Sequence, residues 1–318
     1  MKLKKFYESI ISEGIKSDPR GVSGVKALLA EEKKKYEKLE KEKKETFDRD
    51  RLFNPYADSR VLFGTPETEV KSIAVGIDIE VGEMVLIDRL RERGEKISCA
   101  VSHHPAGHAL ANFYEVMSLH AGLFSKSGIP VAVAESLTKE KMGEVGRSIS
   151  SLNHMQVVDA AKLLDIPLMC VHTPADNHVS VFLQKMFDTK KPKKLKNLLD
   201  ILNGLEEYKQ ARSINAGPTI LNGGPESYAG KIFVDMTGGT QPSKEIFSRL
   251  AQQGISTVVG MHYSESHFKK AKEERVNIVI AGHISSDNLG LNLILDKVTR
   301  KEKINVIELS GFRRVKRK

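Results

Sequence analysis

From Val70 onward, short apolar runs alternate with segments in which apolar residues recur at helical spacing. The β-branched run Ser72–Ile77 and the run Ile97–Val101 predict strands, whereas the apolar spacing over Gly82–Arg93 predicts a helix. Strands that alternate with helices of this length indicate parallel or mixed sheets covered by helices. The pattern therefore predicts an α/β fold.

The same reasoning extends over the rest of this region. Strands are predicted at Ile129–Ala134, Pro167–Val171, Lys231–Met236, Ile255–Val259 and Asn277–Ala281. Helical segments are predicted at His120–Ser127, Asn153–Leu164, Pro242–Gln253 and Ser266–Arg275, with Gly254 as a helix stop. This order leaves room for two βα halves around a central site.

Residues 1–60 follow a different pattern. Glu31–Arg51 holds eight acidic and nine basic residues, and its apolar residues are too sparse for a broad buried stripe. Helices of mixed charge are usually solvated and contribute little to a core. The sequence therefore predicts a charged helical extension over residues 1–60, followed by an α/β domain over residues 61–318.

The charge balance is basic, but much of the excess is local. Lys and Arg number 50 against 41 Asp and Glu, which gives a formal net charge of +9. Basic residues gather in Lys190–Lys196 and in the tail, at Arg313, Arg314, Lys316, Arg317 and Lys318. Nucleic-acid surfaces usually interleave aromatic side chains with basic ones. The chain has no Trp and 6% aromatic residues, so nucleic-acid binding is not expected.

The apolar runs and the cysteines indicate the cellular compartment in which the protein works. No run approaches the roughly 20 apolar residues that cross a bilayer, and no apolar signal segment is evident at the start. Cys99 and Cys170 lie in apolar runs and are too few for a disulfide framework. These features predict a cytoplasmic protein without a membrane partner.

Histidine and aspartate follow three of the predicted strands at the point where each strand ends. Ligands in such sheets bind beyond the carboxyl ends of strands, and a metal site needs ligands from several elements. Spaced four residues apart, His283 and Asp287 would share one helical face. We therefore predict a His/carboxylate metal centre built from three segments: Ser102–His108 with His103 and His104, His172–His178 with Asp176, and Gly282–Gly290 with His283 and Asp287.

Each of these residues also has a structural alternative. A histidine at the end of a strand often forms a hydrogen bond in the core or at the surface. Asp287 would also fit as a helix N-cap, and Asp176 as a turn residue. The coincidence at three separate strand ends favours the metal centre.

The three segments together resemble the NGG-interacting-factor-three-like family, whose members are also called type 2 GTP cyclohydrolase I homologues. The family has a strand-terminal S-H-H-P, a central H-x-x-x-D and a late G-H-x-x-x-E. Here these read Ser102–Pro105, His172–Asp176 and Gly282–Asp287. The resemblance covers about residues 70–296. Asp287 stands where the family usually has Glu, so the backbone must come closer for Asp287 to bridge two ions.

The resemblance implies an α/β sandwich of two related halves, about 61–180 and 225–318, joined by a basic linker region. It also implies a homo-oligomer, in the form of a hexameric ring, and two divalent metal ions per chain. Histidine and carboxylate ligands without thiolate suit Zn, Mn or Fe. By the same resemblance, His104 and Asp176 would bind one ion, His103 and His283 the other, and Asp287 would bridge both.

Two such ions would acidify a water molecule and neutralise charge on an attacked phosphoryl or carbonyl oxygen. We therefore predict a metal-dependent hydrolase of a small molecule, such as a nucleotide or another phosphorylated compound. His172 and His178 flank Asp176 and are candidates to orient it or to handle a proton. The alternative is a metal-binding carrier, chaperone or regulatory scaffold without turnover.

The segment before the last helix departs from the family pattern. Members often have T-G-E there, whereas this chain reads G-M-H-Y-S-E over residues 260–265. His262, Glu265 and His267 are candidates to line the pocket, and none of them is expected to bind metal.

Overall fold

The computed structural model describes residues 1–300 and 302–317. The helices are α1 (Leu3–Lys16), α2 (Gly21–Glu37), α3 (Lys41–Glu45), α4 (Val81–Glu92), α5 (Gly107–Ala111), α6 (Leu119–Lys126), α7 (Val131–Ile149), α8 (Gln156–Leu163), α9 (Thr173–Lys190), α10 (Leu195–Asn203), α11 (Glu206–Ser213), α12 (Ile246–Gln252), α13 (Glu265–Glu273) and α14 (His283–Val298). The strands are β1 (Val61–Phe63), β2 (Ser72–Gly76), β3 (Cys99–Ser102), β4 (Leu168–Cys170), β5 (Thr219–Asn222), β6 (Lys231–Asp235), β7 (Ile255–Gly260), β8 (Asn277–Ile280) and β9 (Asn305–Glu308). Lys318, the last residue of the predicted basic tail, lies outside the described residues.

Two sheets hold these strands, and each combines parallel strands with an antiparallel edge. In the first sheet the order is β1-β4-β3-β2-β9, and in the second it is β5-β8-β7-β6. β1 runs antiparallel to β4, and β5 antiparallel to β8, whereas the other pairs are parallel. The predicted α/β fold, with mixed sheets flanked by helices, is confirmed.

The two sheets repeat one strand order, as related halves do. In each sheet the first strand along the chain is the antiparallel edge, and the next three lie beside it in reverse order. β9 departs from the repeat, because the chain returns after α14 and pairs with β2 of the first sheet. The predicted half over residues 225–318 therefore includes one strand of the other half.

α9 and α14 form the shared centre of the sandwich. Ala175 of α9 and Leu291 of α14 pack with residues of β2, β3 and β4, whereas Val179 and Leu289 pack with residues of β6, β7 and β8. The helices come close at Gly290, where an added Cβ would lie 2.6 Å from the Ala175 carbonyl oxygen. Helices that contact both sheets in this way are buried around most of their circumference.

α1 belongs to the core, in contrast to the extension predicted over residues 1–60. Leu3, Phe6 and Ile10 recur every three to four positions and are buried in the same cluster as residues of the first sheet. Glu31–Arg51 is largely exposed, as predicted. The prediction rested on the charge of that later segment, which says nothing about the apolar stripe of α1.

One predicted strand is a helix. The run Ile129–Ala134 leads into α7, which begins at Val131. Pro130 immediately precedes the first helical residue, where the missing N–H of proline costs no hydrogen bond. The β-branched run was too short to distinguish the two periods. The other predicted strands coincide with β2, β3, β4, β6, β7 and β8 to within two residues.

Cys99 and Cys170 are buried in neighbouring strands of the first sheet, and neither forms a disulfide. Burial raises the pKa of each thiol to about 12, so neither is a ready thiolate ligand. Among the described residues, no helix combines the length and the apolar character needed to cross a lipid bilayer.

Candidate metal centre

The carboxyl ends of β3, β4 and β8 bring imidazole and carboxylate groups to one point. β3 leads into His103 and His104, β4 leads into His172 and α9, and β8 leads into α14. All five residues predicted as ligands meet there, and His172 joins them. Their nitrogen and oxygen atoms form three overlapping groups, each spanning no more than 4.8 Å: His103, His104 and His172; His104, His283 and Asp287; and His103, Asp176 and Asp287.

The backbone after β3 explains how His103 and His104 both reach the centre. The chain bends at these two residues, and both of their N–H groups donate to the segment at the end of β2, to the carbonyl oxygens of Gly76 and Ile77. In a regular strand, consecutive side chains point to opposite faces of the sheet. The bend interrupts this alternation, so both rings lie at the centre, with their centroids 5.3 Å apart.

α9 and α14 supply their carboxylates in the same way. Asp176 lies four residues after His172, and Asp287 four residues after His283, so each carboxylate shares a helical face with its histidine. The pairs are separated by 3.6 Å (His172 Nδ1 to Asp176 Oδ2) and 3.5 Å (His283 Nε2 to Asp287 Oδ2). Because α9 follows β4 and α14 follows β8, the two pairs occupy equivalent places in the two halves.

Three histidines are held by their Nδ1 atoms. Each Nδ1 donates, over 2.6–2.9 Å, to an oxygen that only accepts: the Val171 carbonyl for His103, Asp78 for His104 and Asp58 for His172. In a neutral ring such a bond keeps the proton on Nδ1 and leaves the lone pair on Nε2. Histidine ligands in metal sites are held in this manner.

Asp287 lies between two groups of nitrogen atoms. Its Oδ1 is 3.4 Å from His103 Nε2, and its Oδ2 is 3.5 Å from Nε2 of both His104 and His283. Asp176 Oδ1 lies 3.5 Å from His103 Nε2. The two oxygens of Asp287 thus face different nitrogens, as a bridging carboxylate requires.

The donor atoms at this point fit a metal ion. Among the described residues, four buried atoms here have no hydrogen-bond partner: His103 Nε2, Asp176 Oδ1 and both carboxylate oxygens of Asp287. A buried carboxylate without a hydrogen-bond partner is unfavourable, so a bound cation would stabilise these atoms. Two ligands of one tetrahedral zinc ion stand about 3.4 Å apart, which matches the separations of 3.4–3.5 Å found here.

The grouping of ligands differs from the pairing that the family resemblance implies. His103 groups with Asp176, and His104 groups with His283, whereas the resemblance pairs His104 with Asp176 and His103 with His283. The bond from His103 to the Val171 carbonyl turns the His103 ring towards the start of α9. The His104 ring is held instead by its hydrogen bond to Asp78, which follows β2.

When protons rather than metal ions bind to the centre, burial and neighbouring charges shift the pKa values of its groups in different directions. Burial raises the pKa of Asp176 to about 6. Burial would also raise the pKa of Asp287, but the neighbouring His103 and His104 imidazoles hold it well below its ordinary value. Burial lowers the pKa of His283 to about 4. At neutral pH both carboxylates are therefore ionised and His283 is neutral, the states that bind metal. Burial would lower the pKa of His104, but Asp287 and Asp78 raise it to about 10, so a metal ion would have to replace a proton on this ring.

Asp58 and Asp78 belong to the centre, although neither was among the predicted site residues. Asp58 is fully buried and accepts from His172 Nδ1 at 2.8 Å and from the Thr173 hydroxyl at 2.6 Å. Burial alone would raise the pKa of Asp58, but the hydrogen bond and charge of His172 lower it, so this carboxylate stays ionised. Asp78 follows β2 by two residues, so the strand-end rule applies to it.

Solved structures with this fold connect the chain to a family. The chain is similar to the NIF3 superfamily protein from Sphaerobacter thermophilus, with 25% identity, a TM-score of 0.69, and coverage of 80% of this chain and 91% of that chain. The chain is NIF3-like. It also shares its fold with reduced HcgD from Methanocaldococcus jannaschii, at 14% identity, a TM-score of 0.50, and coverage of 78% and 87%. No protein-family model matches the chain, and no curated protein does either.

His172 has a different place in the candidate metal centre from the one predicted. It was a candidate to orient Asp176, yet its Nδ1 proton goes to Asp58, and Asp176 Oδ2 lies beyond hydrogen-bond distance at 3.6 Å. Its ring lies with those of His103 and His104 in one candidate ligand group. His172 is therefore a sixth candidate ligand.

The structure does not bring His178 to the centre. His178 lies two residues after Asp176 on α9, which is about 200° around the helix, so it faces away from Asp176. Its Nδ1 lies 2.8 Å from the hydroxyl of Ser17, at the end of α1. Burial lowers the pKa of His178 to about 3, so a neutral ring packs between α9 and α1.

A small cavity of about 50 Å³ opens beside His172, Asp176 and His283. The second half supplies its other wall, where the Tyr263 hydroxyl donates to Asp235 at 2.6 Å. Further lining residues from this half are Met236, Thr237, Gly239, Thr240, Gln241, Met261 and His262. A ligand in this cavity would contact both halves at once.

Of the three residues proposed to line the pocket, His262 lines this cavity. His267 is buried nearby, but its Nε2 is bonded to the Pro242 carbonyl oxygen at 2.9 Å. Glu265 lies at the surface, 3.4 Å from Lys269. The helical spacing in α13 turns these two side chains away from the cavity.

The described part of the basic tail is docked on the protein. Arg314 pairs with Asp296 of α14, and Arg317 donates to Glu207 of α11 at 2.5 and 2.8 Å. Glu207 is buried, so the pair with Arg317 fixes the tail in place. Internal acidic groups thus neutralise two of the tail's charges, and the expected lack of nucleic-acid binding stays a prediction.

Proposed function

We propose that the chain binds two divalent metal ions at this centre and acts as a metal-dependent hydrolase of a small phosphorylated molecule, such as a nucleotide. The observation that carries the proposal is the set of unpartnered buried atoms on His103, Asp176 and Asp287. Unpaired buried charges are retained where they serve a ligand. Zn, Mn or Fe suits these nitrogen and oxygen donors.

His103 and Asp176 would hold one ion, His104 and His283 the other, and Asp287 both. When bound, divalent ions lower the pKa of water and polarise a phosphoryl oxygen. The chain's own task is to hold the ligands: the carboxylates of Asp58 and Asp78 keep the imidazole lone pairs directed inwards.

The second half would orient the substrate and exclude water. Met236 and Met261 give the small cavity apolar walls. Burial raises the pKa of Asp235 to about 6, and one of its oxygens accepts from Tyr263. A carboxyl group with such a pKa can donate or accept a proton near neutral pH.

Metal content tests the centre. We expect about two divalent ions per chain, by elemental mass spectrometry of protein purified without chelator, and their loss in a His104→Ala, His283→Ala double variant. His108→Ala is the matched control, because His108 is exposed and takes no part in the candidate ligand groups. If the protein binds none of Zn, Mn and Fe, even after reconstitution, the proposal is refuted.

Turnover separates the hydrolase from a metal carrier. The metal-loaded protein is offered bis(4-nitrophenyl) phosphate and a panel of nucleotides, and the released product is measured. Asp287→Asn should abolish turnover, because the amide is a much weaker bridge than the carboxylate. Metal binding and exchange without any turnover would instead favour the carrier.

We further propose that the chain forms a homo-oligomer, as the family resemblance implies. Val81, Val85 and Leu86 of α4 expose 43%, 50% and 47% of their surface, an apolar face suited to a subunit contact. A hexamer would have a mass of about 212 kDa, six times 35.3 kDa. Light scattering measures that mass, and a monomer at micromolar concentration would contradict the ring.

A further inference from the structure

His262 occupies, in the second half, the place that His104 occupies in the first. His104 lies two residues after the end of β3, and His262 lies two residues after the end of β7. β3 and β7 have the same position in the strand order of their sheets. The His262 ring lies 4.7 Å from that of His283, and it lines the cavity beside His172.

The hydrogen bonds of Gln241 determine which nitrogen of His262 carries the proton. Gln241 Oε1 accepts from the backbone N–H of Ser264 at 3.2 Å. Only the oxygen of the amide can accept, so this bond fixes its orientation and directs Nε2 towards His262 Nδ1, 2.5 Å away. An amide nitrogen only donates, so Nδ1 must accept. In the neutral ring of His262 the proton is therefore on Nε2.

This tautomer is opposite to that of the candidate ligands. His104 donates from Nδ1 to Asp78, which leaves Nε2 to supply the lone pair that a metal ligand needs. His262 accepts at Nδ1 and presents an N–H at Nε2. Within the described part of the chain, that N–H has no hydrogen-bond acceptor, and His262 is exposed at the mouth of the cavity.

We propose that His262 donates a hydrogen bond from Nε2 to an anionic oxygen of a phosphorylated ligand, and that Gln241 is the positioning residue that holds it in this tautomer. The inference rests on the proposed function, because it places the ligand's phosphoryl group beside His283. It assigns different chemistry to equivalent residues of the two halves: His104 offers a lone pair, and His262 offers a proton.

Nuclear magnetic resonance tests the tautomer directly and needs no activity. Long-range proton–nitrogen correlations of zinc-loaded protein labelled with 15N-histidine should show His262 protonated at Nε2, and His104 at Nδ1. Gln241→Glu places a carboxylate beside His262, which can only accept from Nδ1, so this variant should move the proton to Nδ1. Gln252→Glu, an exposed position on α12, is the control and should leave the His262 signal unchanged.

Calorimetry with inorganic phosphate tests the donor role in the metal-loaded protein. His262→Phe keeps a ring of similar size without an N–H, so phosphate affinity should fall about tenfold or more, the usual range for a hydrogen bond to a charged group. Gln241→Glu should lower the affinity as well, whereas His108→Phe should not. Metal content should stay the same in all variants.

Three results would overturn the inference: an Nδ1 proton in wild-type His262, unchanged phosphate affinity in His262→Phe, or loss of metal from that variant, which would make His262 a ligand. If the wild type binds phosphate and His262→Phe binds it equally well, only the inference fails. If the wild type binds neither metal nor phosphate, the proposed function fails, and the inference with it.

Discussion

At the scale of single residues, Asp58 determines how His172 faces the centre. The Asp58 carboxylate accepts from His172 Nδ1 and from the Thr173 hydroxyl, and burial keeps water away from these bonds. Because a carboxylate offers only acceptor oxygens, His172 must keep its proton on Nδ1 and its lone pair on Nε2. The orientation of the ring therefore depends on a residue that does not itself join the candidate ligand groups.

Replacing Asp58 with Asn should weaken metal binding while the ligands themselves remain. His172 Nδ1 and the Thr173 hydroxyl both bond to Oδ2 of Asp58. The amide oxygen of Asn in that place carries no charge, so both bonds become weaker and the His172 imidazole becomes a poorer metal ligand. We expect metal affinity to fall about 10- to 100-fold, the range for loss of such a supporting carboxylate.

Competition with a chromogenic chelator measures this affinity. Asp159→Asn removes a carboxylate that pairs with Lys162 on the exposed side of α8, and it should bind metal like the wild type. Equal affinities for the Asp58 and Asp159 variants would show that His172 does not depend on Asp58.

The predicted ligands could be identified from sequence because His103, His104 and His283 come directly after apolar strands, and Asp176 and Asp287 follow within one helical turn. Asp58 breaks that rule, since it precedes its strand. It reaches the centre only because β1 runs antiparallel to β4, with Val61 opposite Met169. Strand pairing of this kind is a tertiary feature, and a local apolar pattern does not report it.

At the scale of elements, the length of sequence considered explains the two main differences between prediction and structure, because it was too short at Ile129–Ala134 and too long over residues 1–60. The run Ile129–Ala134 has the composition of a strand, but its period becomes helical only when the rest of α7 is included. α1 has a clear apolar stripe, yet the charged segment that follows it dominated the composition of residues 1–60. The buried parallel strands were easier to predict, because they are apolar on both faces.

The close crossing of α9 and α14 should couple the stability of the fold to metal binding, because these helices carry Asp176 and Asp287. A Cβ at position 290 would lie 2.6 Å from the backbone oxygen of Ala175, so Gly290→Ala should push the helices apart. We expect a loss of about 2 kcal/mol or more in the free energy of unfolding, together with reduced metal content. Urea unfolding and elemental analysis measure the two effects.

Gly82→Ala is the control for this prediction. Gly82 lies in the first turn of α4, and an added Cβ there would meet nothing within 4 Å. Alanine in a helix is favoured over glycine by about 0.5–1 kcal/mol, so this variant should be slightly more stable. A Gly290→Ala protein as stable as the Gly82→Ala protein would contradict the close crossing.

At the scale of the whole molecule, contacts between the halves surround the centre. His120 of α6 donates from Nε2 to the Thr237 carbonyl oxygen at 2.9 Å, and the Thr237 hydroxyl donates to Asn177 of α9 at 2.6 Å. Gly238 has a φ of 98°, and a Cβ there would lie 2.5 Å from His120 Nε2, so this approach requires glycine. No local periodicity predicts such a contact, because its partners are 117 residues apart.

The buried His120 at this junction should make stability depend on pH. Burial lowers its pKa from 6.5 to about 4, so between these values the unfolded chain binds a proton that the folded chain does not. The contribution of His120 is complete above pH 6.5 and is lost as pH falls towards 4, a change on the order of 3 kcal/mol. Gln can keep the bond to Thr237 without titrating, so His120→Gln should flatten the decline. Urea unfolding at pH 7 and pH 5, with chelator present, measures this decline in stability. His154→Gln is the control. Equal declines in the wild type, His120→Gln and His154→Gln would rule out His120 as the source of the pH dependence.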